Sequence, residues 1–155
     1  MEFKNNRDPI EMHIRTDRMV LIDKIRHAFP DTFGKDIFFI EQQVCLEHMG
    51  YFLVKYRYIP LEYDLVLEND RGVFSIEIID HEGAHRNLYG IKKYNSGTTL
   101  VNVKKAISIL KEVLEKNDFC FYITRDGKLY RKKGQCYKRI KNWMELGRDN
   151  DDRTE

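Results

Sequence analysis

Long apolar runs are missing from this chain. Its longest unbroken stretches, such as FCFYI at 119–123, reach only four or five residues, far short of the roughly 20 that span a bilayer. Prolines number three and no Gly/Ser- or Pro-rich tract interrupts the chain, so nothing marks a linker and residues 1–155 read as one domain. Its expected core covers about 35–133, with 147–155 as a frayed tail. The opening MEFKNNRDPIE lacks the apolar stretch of a secretory signal, so a cytoplasmic protein is expected. Only three cysteines are present, Cys45, Cys120 and Cys136, with no close pair and one left over. That argues for free thiols in a reducing compartment and against a disulfide framework.

What is present is an ordinary globular composition, 42% hydrophobic and 34% charged with nine Tyr and nine Phe, enough to build a core. The formal charge of +2 conceals an asymmetry, because Arg125 to Lys141 holds eight Lys or Arg and one Asp. A basic block beside an acidic body is a feature worth following.

Periodicity divides the chain into elements. Thr16 or Asp17 caps a helix to about Phe29, with Leu21, Ile22, Ile25 and Phe29 as its stripe, and PDTFG at 30–34 breaks it. A second helix is expected over Lys35 to Met49, with Ile37, Ile40 and Val44 on one side and Gly50 at its end. Strands follow at YFLVKYRYI, LEYDLVLE and VFSIEII, the last two flanking the turn signal NDRG. The stretch 80–99 reads as a loop. VNVKKAISILKEVLEKN is an amphipathic helix carrying Val103, Ile107, Leu110 and Leu114 on one face. DFCFYIT and KLYRKK flank RDG as a second hairpin, and CYKRIKNWMEL reads as a short last helix. The core order is α-β-β-β-α-β.

The NDRG hairpin raises a question of charge. A turn centred between Asp70 and Arg71 sets Asp64 opposite Glu77, with Glu62 further along the same face, while Leu65, Leu67, Phe74, Ile76 and Ile78 form the core face. Two carboxylates directly across a strand pair, with Cβ atoms about 5 Å apart, destabilise it when both are charged. A divalent cation offsets that repulsion, since hard oxygen ligands suit Mg²⁺ or Mn²⁺. The plainer alternative is a solvated face with Lys55 nearby.

In this context the segment IEQQVCLEHMGYFLVKYRYIPLEYDLVLENDRGVFSIEII resembles the PD-(D/E)XK, or restriction-endonuclease-like, superfamily, and looks most like its small Holliday-junction-resolvase-like members. The likeness covers about residues 37–124. It implies an α/β fold with a mixed sheet flanked by helices, here with an extra N-terminal helix and a basic C-terminal hairpin. It further implies Glu41 as the helical acid, Asp64 and Glu77 as ligands of Mg²⁺ or Mn²⁺, and metal-activated water attacking a phosphodiester. The chain departs from the pattern at one position: the lysine two residues after the glutamate is Ile79. Lys104, Lys105, Lys92, Lys93 and His81 are the candidates to replace it.

His81-Glu82-Gly83-Ala84-His85 spells H-E-x-x-H, a zinc peptidase motif whose mechanism requires a helix. Here it follows a β-branched run, and its third ligand would have to be a carboxylate such as Glu112 or Glu115, so zinc is not favoured. The basic end interleaves Arg125, Lys128, Arg131, Lys132, Lys133, Lys138, Arg139 and Lys141 with Tyr130, Tyr137 and Trp143, cations for phosphates and rings for unpaired bases. The sequence thus points to a metal-dependent nuclease or a degenerate relative. The alternative is a non-catalytic binding protein, a mobile-element inhibitor or an immunity-type protein, acting on nucleic acid or a protein partner. Its oligomeric state is open, with a dimer among the options.

Overall fold

The first helix, α1 (Pro9–Phe33), runs through Pro30 instead of ending before it. A proline inside a helix leaves the carbonyl four residues back without its N–H partner. Here that carbonyl belongs to Arg26, and the Tyr56 hydroxyl donates to it at 2.6 Å. The sheet therefore supplies the bond that Pro30 withholds, and the helix continues to Gly34, whose positive φ of 58° turns the chain out. The computed structural model describes residues 9–142.

The helix expected over 35–49 is a short 3₁₀ turn, Gly34–Asp36, followed by a strand, β1 (Ile37–Cys45). Ile40 is an extra residue between the pairs Phe39↔Tyr56 and Glu41↔Lys55. Such a bulge shifts the alternation of a strand by one residue. Ile37 and Val44, an odd number apart, therefore lie on the same face, opposite Tyr58 and Phe52. The helical stripe in the sequence was a bulged strand in disguise.

The remaining strands are β2 (Tyr51–Tyr58), β3 (Tyr63–Asp70), β4 (Val73–Ile79), β5 (His85–Asn87), β6 (Phe121–Arg125), β7 (Lys128–Lys133) and β8 (Cys136–Arg139). The eight strands of the described residues lie in one open sheet in sequence order, and every neighbouring pair is antiparallel. Between β5 and β6 come a single helical turn, α2 (Leu88–Ile91), and the long helix α3 (Leu100–Lys116). The expected mixed sheet is corrected by β5. This short strand, in the stretch read as a loop, reverses the chain once more, so β6 arrives antiparallel to its neighbour.

The layers are also corrected. Helices α1 and α3 share one face of the sheet instead of flanking it, as their common core shows: Ile22, Ile25 and Phe29 meet Val103, Ile107 and Leu110 over Phe52, Val54, Leu65, Leu67, Ile76 and Ile78. The expected stripe of α3 is buried, and Thr99 Oγ1 caps the helix by accepting from the Asn102 N–H at 3.2 Å. The other face of the central strands is left to mixed polar and apolar side chains. A smaller cluster of Cys120, Tyr122, Leu129 and Ile140 forms near β6 and β7. The last helix expected from Cys136 begins instead as β8, and its end, with the tail 147–155, lies outside the described residues. Among the described residues no helix is long and apolar enough to cross a membrane.

Candidate functional site

The β3–β4 turn is centred between Arg71 and Gly72, whose φ values of 57° and 77° are both left-handed. That is the geometry a two-residue hairpin loop prefers, with glycine at its second position. The register therefore pairs Asp64 with Ile79, Val66 with Glu77 and Glu68 with Ser75. Relative to the expected pairing the shift is two residues, so each side chain keeps its face and only its partner changes. Asp64 and Glu77 share the open face but are not directly opposed.

Asp64 meets cations. The Arg57 Nε donates to its Oδ1, and Lys55 Nζ lies 3.6 Å from Oδ2. Both carboxylate oxygens thus face positive partners on β2. Glu62 stands before β3 as the left-handed residue closing the Ile59–Leu61 turn, not on the sheet face. Glu41 lies on a strand and not on a helix. It is exposed, opposite Lys55, and accepts from Gln43 at 2.8 Å. Glu41, Lys55, Val66 and Glu77 form one row across four strands. At about 4.8 Å per strand the two acids are roughly 14 Å apart, too far to share one metal ion.

Glu77 is the more unusual carboxylate. Its Oε2 is buried with no hydrogen bond, while Oε1 lies 3.5 Å from His85 Nδ1. Burial pushes the carboxyl above its ordinary value, and His85 and Asn87 draw it part of the way back. The residues present do not fit a two-carboxylate Mg²⁺ or Mn²⁺ site, because Asp64 is engaged by cations and Glu77 faces Val66 and a histidine. Among the described residues no group of three or more His, Cys, Asp or Glu side chains is placed to hold a metal ion.

The substitutes for the missing lysine do not assemble either. Lys104 and Lys105 are exposed on α3, which covers the opposite face of the sheet. Lys92 is 3.2 Å from Glu112, and Lys93 is exposed in the following loop. His81 is exposed in the β4–β5 turn.

That turn is what HEGAH builds, and it is not helical. Asp80 Oδ1 accepts from the backbone N–H groups of Glu82 and Ala84, each at 2.9 Å, and Gly83 takes a φ of 86°. His81 therefore precedes the turn's tip while His85 begins β5, so the two imidazoles do not have the helical spacing a zinc peptidase needs.

Glu82 instead faces the basic end. It receives Lys132, Arg125 at 2.8 Å and the Tyr137 hydroxyl at 2.5 Å, and these hold its carboxyl down at about 2. Lys132 also reaches the buried Asp80 at 2.5 Å. Burial alone draws the Lys132 ammonium down, but Asp80 and Glu82 outweigh it and raise it. Lys133 pairs with Asp118 at 3.2 Å, and Arg131 is buried with its guanidinium near the Tyr122 ring. Half of the eight cations therefore have partners within the chain, and two of these, Arg131 and Lys132, are buried. Lys128, Lys138, Arg139 and Lys141 are exposed at this end. Of the aromatics, Tyr130 packs against the core, Tyr137 is flanked by Arg125 at 4.7 Å, and Trp143 lies outside the described residues. The sequence carried no sign of the Asp80–Lys132 pair, since partners 52 residues apart meet only through the sheet.

Comparison with protein-family models, with curated proteins and with solved structures finds no match for this chain.

Proposed function

We propose that this protein is a non-catalytic binding protein whose partner is nucleic acid, held at the β7–β8 end of the sheet. One observation carries the reading: Lys128 on β7 and Arg139 on β8 are exposed on one face of the strand pair, with Lys138 exposed on the other face and Lys141 just beyond β8, while the carboxylates that would hold a catalytic metal are spread over the open face. Cations so placed release counterions from a phosphate backbone, which supplies affinity without base reading. The buried pair of Lys132 with Asp80 anchors the hairpin, so Lys128, Lys138 and Arg139 are presented on strands.

The test is binding of labelled single-stranded, duplex and branched DNA and RNA across a salt series, with cleavage followed in Mg²⁺ or Mn²⁺. Binding is expected without cleavage. Joint Lys128→Glu and Arg139→Glu replacement, on one face of the strand pair, should weaken it at least about tenfold and lower the salt slope by about two. Asp64→Asn and Glu77→Gln should leave it unchanged. Metal-dependent cleavage abolished by both of those changes would overturn the proposal and establish the nuclease. Absence of binding to any nucleic acid would favour a protein partner, as for an inhibitor or immunity-type protein.

A further inference from the structure

The sheet has two edges, and they are built differently. β8 is four residues long and carries Lys138 and Arg139, the shortness and charge by which sheets discourage pairing with another chain. β1 is nine residues, IFFIEQQVC, with no lysine or proline and Glu41 as its single charge. Among the described residues no strand pairs with its outer side.

Exposed apolar side chains gather at the same edge. Phe38 and Phe39 on β1 are 51% and 38% exposed, Met19 and Val20 on α1 are 40% and 48% exposed, and Met49 in the turn after β1 is 67% exposed. These are five of the ten large hydrophobics exposed among the described residues. Between helix and strand lies an open cleft of about 320 Å³, bordered by Asp23, Arg26 and Pro30 on one side and Phe38, Phe39 and Tyr56 on the other. Met19 lies on the helix face of Asp23 and Arg26, four and seven residues before them.

We propose that β1 pairs antiparallel with β1 of a second copy of this chain about a two-fold axis, continuing the sheet. The bulge selects the register. An unbulged nine-residue strand has a face pattern symmetric about its fifth residue, which here would set Glu41 against the partner's Glu41, a destabilising like-charge pair. With Ile40 as the extra residue, the core-facing positions are Ile37, Phe39, Gln42 and Val44, and the open-facing ones include Phe38 and Gln43. That pattern is symmetric about the midpoint between Ile40 and Glu41. Ile37 then faces the partner's Val44, Phe38 the partner's Gln43 and Phe39 the partner's Gln42, each on matching faces. Glu41 meets the partner's Ile40, and the two charges no longer oppose each other. Such self-complementarity is what an isologous interface requires. Arg26 already spans the matched residues within one chain, lying 3.8 Å over the Phe39 ring and donating to Gln42 Oε1 at 3.3 Å.

The proposal is independent of the nucleic-acid reading and is tested without a ligand. Sedimentation equilibrium and amide hydrogen exchange are measured on the full chain at low and high protein concentration. A dimer is expected, with amides of 37–44 gaining protection as concentration rises. Phe39→Lys should raise the dimer dissociation constant at least about tenfold, equivalent to about 1.4 kcal/mol, with an unchanged circular dichroism spectrum. Phe38→Lys serves in its place if Phe39→Lys fails to fold. A monomer at every concentration overturns the proposal. So does protection of 37–44 that is independent of concentration, which would mean that another part of the same chain covers the edge. A dimer as tight in a folded variant as in the parent overturns it as well.

Discussion

Asp80 and Lys132 show how a single residue can look like one thing in sequence and act as another in the fold. Lys132 reads as one cation in a basic run, yet its side chain is 7% exposed and its partner's 3%. A buried charge that loses its partner is left uncompensated, at a cost of several kcal/mol. Lys132→Met is expected to destabilise by about 3 kcal/mol in urea unfolding, and adding Asp80→Asn should recover part of that loss. A loss below about 1 kcal/mol would show that the two backbone N–H groups on Asp80 suffice. Glu77 presents the opposite case. Its folded value lies above its ordinary one because burial penalises the charge. The native state therefore holds its proton longer than the unfolded chain, and stability falls as pH rises from the ordinary carboxylate range through that raised value. Glu77→Gln should accordingly be more favourable relative to the parent at pH 7 than at pH 4. Unfolding free energies at the two pH values read this directly, and a reversed order would remove the burial argument.

At the scale of elements, α1 and β2 depend on each other through one hydrogen bond. The Arg26 carbonyl is the acceptor that Pro30 cannot serve, and Tyr56 serves it across 30 residues of chain. Tyr56→Phe should cost about 1 kcal/mol, the net worth of one hydrogen bond. In a Pro30→Ala background the helix regains its own N–H, so the same change should cost less. A double-mutant cycle measures that coupling, and zero coupling would break the link between the proline and the tyrosine. The expected break at PDTFG was reasonable for a helix considered alone. What it lacked was a donor from another element.

For the whole molecule, the two sheet edges divide the roles proposed above. The β8 edge is short, cationic and suited to a polyanion. The β1 edge is long, nearly uncharged and suited to a strand. A chain that pairs through β1 places its two basic ends at opposite extremes of a continued sheet, so the dimer would offer two separate phosphate-binding ends. Much of this was legible in the sequence. The core face of β3 and β4, the stripe of α3, the hairpin at Asp126-Gly127 and the basic end all follow from local periodicity and turn chemistry, which neighbours in the chain control. Three features were not. The bulge at Ile40 made a strand imitate a helix. The two-residue register shift turned on whether Arg71 or Asp70 begins the turn, and either choice preserves the hydrophobic pattern. The partners of Asp64, Glu82 and Lys132 arise only when strands distant in sequence lie side by side. Local pattern determined which faces are buried, because burial acts on each residue through its own strand or helix. Tertiary structure decided which charges meet, because that depends on register and strand order, which no single segment carries.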